Sequence, residues 1–133
     1  MKFILMMTAP RGDGDWGVKD WAMADLKAHI GFMKRLNQDL KQEGVLVGAE
    51  GLAPPAQARI VRANPADHTP EVTDGPFAET KEFLAGYWIV DVERPEQAYA
   101  IAARASLAPG PGGKPLYIKI EVREVMSAPP VEP

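Results

Sequence analysis

Cysteine is absent from this chain, which excludes a disulfide framework, a thiol nucleophile and any thiolate-ligated metal. Histidine is scarce: His29 and His68 stand far apart, so a zinc site lacks its usual ligand set. Basic residues are not in excess, with 15 Lys and Arg against 18 Asp and Glu and a formal charge of −3. Without a basic stripe to grip phosphates, direct nucleic-acid binding is not expected. The N-terminal apolar run, Phe3 to Met7, is stopped by Thr8 and Pro10, too short for a signal peptide or a membrane span. No membrane partner and no cofactor is expected, and the compartment that fits is the cytoplasm. The 133 residues suffice for one core without staples. A single domain is expected over residues 1–126, followed by a proline-rich tail at 127–133.

What is present is a sequence of alternating periodicities. Residues 2–8 are apolar nearly throughout and read as a strand covered on both faces. After a loop at 10–17, Ala22, Leu26, Ile30, Met33, Leu36 and Leu40 recur at intervals of three or four. They predict a helix over 18–43, stopped by Gly44. Strands follow at 45–49 and 58–63, with a hairpin return at 71–73. A strong strand at 86–92 leads to a shorter helix at 94–106, where Pro95 is tolerated near the start. Residues 107–115 hold three prolines and three glycines and must be loop. Residues 117–122 alternate Ile118, Ile120 and Val122 against Lys119, Glu121 and Arg123, a strand with one wet face.

The order is β-α-β-β-α-β with a hairpin inserted in the middle, an α+β pattern of the ferredoxin-like sandwich. Two helices cover one face of such a sheet, yet the strands at 3–7 and 87–92 are apolar on both. A second copy of the chain is the expected cover, giving a sheet-to-sheet homodimer.

The densest cluster of chemistry is Asp74-Gly75-Pro76-Phe77-Ala78-Glu79-Thr80-Lys81-Glu82, a turn, an aromatic and charged groups ahead of an apolar run. Asp-Gly-Pro cannot sit inside a helix, so the segment reads as a shaped loop, where binding groups tend to lie. It is similar to the signature of the DGPF-type, YCII-related proteins. The likeness continues through Leu84-Ala85-Gly86-Tyr87-Trp88-Ile89-Val90-Asp91-Val92, upstream through residues 36–47 and Gly48-Ala49-Glu50-Gly51-Leu52, and at the end through residues 120–125. The resemblance implies a dimeric α+β-barrel of ferredoxin-like type. It also implies a sigma factor as a candidate partner, since some relatives are associated with extracytoplasmic-function sigma factors. A related dehydrochlorinase implies that the scaffold can support catalysis.

The broader YCII-like group implies a histidine on the first helix paired with an aspartate after the second. Counted from Gly44, that histidine falls at about Met33, and His29 lies one turn earlier. The segment 104–109 holds no aspartate, so the pair is not carried over.

For each remaining candidate a structural reading stands beside a functional one. His29 is either a core-edge histidine bonded to one partner or a proton carrier facing a cavity. Asp74 either accepts bonds within its turn or offers a base at a cleft. Phe77 is either a packing anchor or a stacking platform. Glu79, Lys81 and Glu82 are either a solvated charge run or the lining of a pocket with Arg59 or Arg62. Trp16, Trp21, Tyr87 and Trp88 would supply that pocket's apolar wall, Trp88 being also a candidate for sheet core. Two functions follow. One is a dimeric small-ligand-binding or regulatory module. The alternative is a cofactor-independent enzyme doing acid–base chemistry on a small carbonyl or aromatic substrate, with His29, Asp74 and Glu79 as proton carriers.

Overall fold

The structure is a computed structural model that describes residues 1–10, 20–77 and 81–126. Among these residues the chain runs β1 (Lys2–Pro10), α1 (Met23–Gln42), β2 (Leu46–Gly51), β3 (Arg59–Ala63), β4 (Pro70–Asp74), β5 (Glu82–Asp91), α2 (Pro95–Ser106) and β6 (Ile120–Glu124). The main sheet has the order β2-β5-β1-β6 and every neighbouring pair is antiparallel. β1 and β2 therefore run the same way with β5 between them, the split β-α-β arrangement. This architecture is compatible with the expected ferredoxin-like α+β fold. β3 and β4 form a separate two-stranded sheet, the inserted hairpin.

Alternation along β1 sorts its side chains. Phe3, Leu5, Met7 and Ala9 are buried, while Ile4, Met6 and Thr8 are half-buried. Leu5 faces Trp88 across the ladder and Phe3 faces Val90, so these four share the buried face. Leu36 and Leu40 of α1, with Ala98, Ile101, Ala102 and Ala105 of α2, complete one core cluster against it. The alanines let α2 approach the sheet closely. Ile4, Met6, Leu84, Tyr87 and Ile89 point to the opposite face, where neither described α-helix packs. No described helix is long and apolar enough to cross a membrane.

The helix ends follow from local chemistry. α1 stops at Gly44, whose φ of 77° suits glycine, and the Val45 amide then donates to the Leu40 carbonyl. Pro95 opens α2, and the Gln97 side-chain oxygen accepts from the Glu93 and Arg94 amides at 2.8 and 2.9 Å.

Four expectations need correction. α1 begins at Met23, because Ala22 is extended (φ −60°, ψ 145°), and residues 18–19 lie outside the described residues. Its buried face runs through His29, Leu36 and Leu40, while Ile30 is 44% exposed. Positions 29, 33, 36 and 40 share one face as well as the expected set does, and packing chose between them. β5 starts at Glu82 rather than 86: Glu82 and Phe83 pair with Pro10 and Ala9, and a bulge at Met7/Thr8 leaves Ala85 without an opposite residue. β6 starts at Ile120, because Tyr117 adopts a φ of 51°, which no strand residue holds.

Candidate functional site

β1 and β2 end, and β5 and β6 begin, at the same edge of the sheet. α1 carries the chain back from the end of β1 to the start of β2, so its first half lies over that edge. Here a cavity of about 300 Å³ opens between helix and sheet. His29, Met33 and Asn37 line it from α1, residues 49–52 from the end of β2, and Met7 with residues 85–88 from β1 and β5. Its lining is mostly apolar with a few polar groups, the usual make-up of a small-ligand site.

His29 is the buried polar side chain of this region. Its Nδ1 lies 3.0 Å from the Pro109 carbonyl oxygen. A carbonyl can only accept, so Nδ1 carries the proton and Nε2 is the basic nitrogen of the neutral ring. The carbonyl is held by a folded loop after α2. Gly110 N donates to Lys114 O at 2.7 Å and Leu116 N to Ala108 O at 2.9 Å. At Gly110 an added Cβ would sit 2.4 Å from a Leu116 methyl, so a larger residue there would push that side chain aside. On its other side the His29 ring meets Trp21 edge-on, with centroids 5.4 Å apart and planes at 83°. Trp88, in the core, donates its indole N–H to Asn37 Oδ1 at 2.7 Å, which ties the cavity floor to α1.

A second cavity, of about 430 Å³, adjoins the first and shares Met7 and Ala85 with it. Trp21, Thr8, Glu82 and Lys119 line it together with Pro111, Leu116 and Ile118. Thr8 Oγ1 donates to Glu82 Oε2 at 3.4 Å.

Of the candidates, His29, Trp21 and Glu82 come together at this edge. Trp88 lines the first cavity from the buried face of the sheet, and Tyr87 borders it from the neighbouring position, its side chain turned to the opposite face. Lys81 is exposed at the foot of β5. Arg59, Arg62 and Asp74 sit on the β3–β4 hairpin. The Arg62 guanidinium donates to both carboxylate oxygens of Glu71 at 3.2 and 3.4 Å, and Arg59 Nε lies 3.6 Å from Asp74 Oδ1. The Asp74 side chain is 95% exposed and Phe77 is 64% exposed. Glu79 and Trp16 lie outside the described residues. Asn37, Glu50, Thr8, Lys119 and the Pro109 carbonyl were not anticipated as lining or support. Glu50 lies in the run 48–52 that resembles the YCII-related pattern, which was the available signal. A main-chain carbonyl has none.

In a scan against family models, the YCII-related domain matches residues 3–113. The chain belongs to the YCII-related family. A comparison with curated proteins gives no match. The family match spans β1 to the turn after α2 and so includes both elements that position His29. The resemblance to the broader group implies a histidine on α1 and an aspartate after α2; in this YCII-related chain the segment after α2 meets His29 of α1 through the Pro109 carbonyl. Met33, the position expected for that histidine, lines the same cavity one turn along.

Proposed function

We propose that this YCII-related protein is a small-ligand-binding module that takes its ligand between α1 and the sheet, against His29. The observation that carries this is the cavity of about 300 Å³ with the buried, anchored imidazole on its wall. The working unit is a homodimer paired through the open sheet face. The half-buried Ile4, Met6, Leu84, Tyr87 and Ile89 on that face support the pairing. A regulatory role, including association with a sigma factor, is the use of such binding that the family resemblance suggests. Thermal-shift screening of small acids, phenols and carbonyl compounds tests the binding. A hit whose stabilisation falls about tenfold in apparent affinity with His29→Ala is expected, the size of one lost charge- or dipole-assisted hydrogen bond. Hits that ignore the substitution would remove the site. Sizing chromatography at micromolar concentration tests the pairing, and a clean monomer would overturn it.

The second reading is a cofactor-independent acid–base enzyme. It is favoured by one specific observation: the bond to Pro109 orients the ring and assigns its proton, as an orienting partner does for a general base. Asp74 is remote from this role on the hairpin. Proton exchange into the bound hit, followed by NMR in heavy water, separates the readings. Exchange at the spontaneous rate leaves binding alone.

A further inference from the structure

Apart from Met7 and Ala85, which line both, the second cavity is built by different residues from the first. Trp21 lines one and His29 the other, and their edge-to-face contact makes the pair a shared wall. An elongated molecule that reached past the shared Met7 and Ala85 would occupy both.

The chemistry of the second cavity is that of opposite charges kept apart. β1 lies between β5 and β6 in the sheet. Glu82 enters from β5, Lys119 from the residue before β6, and Thr8 stands between them on β1. Glu82 takes a hydrogen bond from Thr8, and among the described residues Glu82 and Lys119 form no ion pair with each other. A ligand with one charge would meet a like charge in the same cavity. A ligand with both charges would be matched at each end, so complementarity here works as selection against the singly charged. The remaining lining, Trp21, Pro111, Leu116 and Ile118, suits an apolar group.

We propose that the second cavity is a head-group subsite for a zwitterion, with an ammonium opposite Glu82 and a carboxylate opposite Lys119. The ligand's apolar body extends past Met7 toward His29. The class that fits is the apolar α-amino acids and their close derivatives. This rests on the binding reading given above and deepens it.

The test compares four probes with one phenyl body: phenylalanine, 3-phenylpropionate, phenethylamine and 3-phenylpropionamide. Binding to the full chain is read by calorimetry and by tryptophan fluorescence, excited where phenyl rings do not absorb. Phenylalanine is expected to bind about tenfold or more tightly than each of the others, as two charge-assisted contacts require. Glu82→Gln should erase its advantage over phenylpropionate, and Lys119→Gln its advantage over phenethylamine. Both side chains are exposed, and an unchanged melting temperature confirms that the variants fold. Equal affinities for the four probes, or a preference that survives both substitutions, overturns the head-group assignment. If none of the four binds while hits from the wider screen still depend on His29, the head-group assignment fails and the reading of the first cavity stands.

Discussion

The imidazole of His29 in α1 is held by the carbonyl of Pro109, 80 residues further along, across a 3.0 Å hydrogen bond. The bond joins the first helix to the loop after the second and assigns the ring's proton to Nδ1. It is expected that long-range ¹H–¹⁵N NMR of the neutral ring shows Nδ1 protonated. His29→Ala leaves a part-buried carbonyl without its donor, and urea unfolding should show a loss of about 1–3 kcal/mol. An Nε2-protonated spectrum would contradict the geometry.

Asn37 and Trp88 give a second, independent check on the cavity floor. Asn37 Oδ1 accepts the buried indole N–H at 2.7 Å. Asn37→Leu strands that donor and should cost about 1–3 kcal/mol, whereas Asn37→Asp keeps an acceptor and should cost less. Urea titrations of the two variants compare the losses. Equal losses would mean that the volume at 37 matters and the bond does not.

The buried face of α1 can be mapped by truncation. Leu40 is fully buried and Leu40→Ala should destabilise by about 2–5 kcal/mol. Ile30, on the expected stripe but exposed, should change stability by no more than about 0.5 kcal/mol on replacement by Ala. A large loss at Ile30 within a demonstrated dimer would place that residue in an interface. The same loss in a monomer would contradict the helix orientation described here.

The turn between β3 and β4 carries a pH dependence of definite sign. Thr69 donates its hydroxyl and its amide to Asp67 Oδ1 at 2.7 and 3.1 Å, and the hydroxyl bond foremost lowers the Asp67 pKa below the ordinary aspartate value. The folded turn thus favours the carboxylate. Its contribution is fully present above the ordinary aspartate pKa and is lost as pH falls through the lowered value. Amide exchange in the hairpin should therefore quicken only in that acidic window, and Thr69→Val should move its onset to higher pH. An onset unmoved by the substitution would show that Thr69 does not set it.

Much of the fold was legible because its determinants are local. Gly44 ends α1 by its own conformational freedom, Pro95 opens α2 where no amide is needed, and the glycines and prolines after Ser106 allow only loop. The apolar runs of β1 and β5 announced strands, although the bulge that leaves Ala85 unpaired hid where β5 begins. The candidate site was less legible. Asp74 and Glu82 are close in sequence, yet one closes the hairpin sheet and the other opens a strand of the main sheet. Arg59, Arg62, Asp74 and Phe77 were thereby separated from His29, Trp21 and Glu82.

The amino-acid sequence by itself determined the order of strands and helices, the family and the presence of a histidine on the first helix, because periodicity, turn chemistry and motif are properties of neighbours along the chain. The tertiary structure alone decided that His29 answers to a Pro109 carbonyl and that Thr8, Glu82 and Lys119 share a cavity. Those meetings depend on strand order and on a backbone oxygen, and a backbone oxygen has no residue type by which to be read.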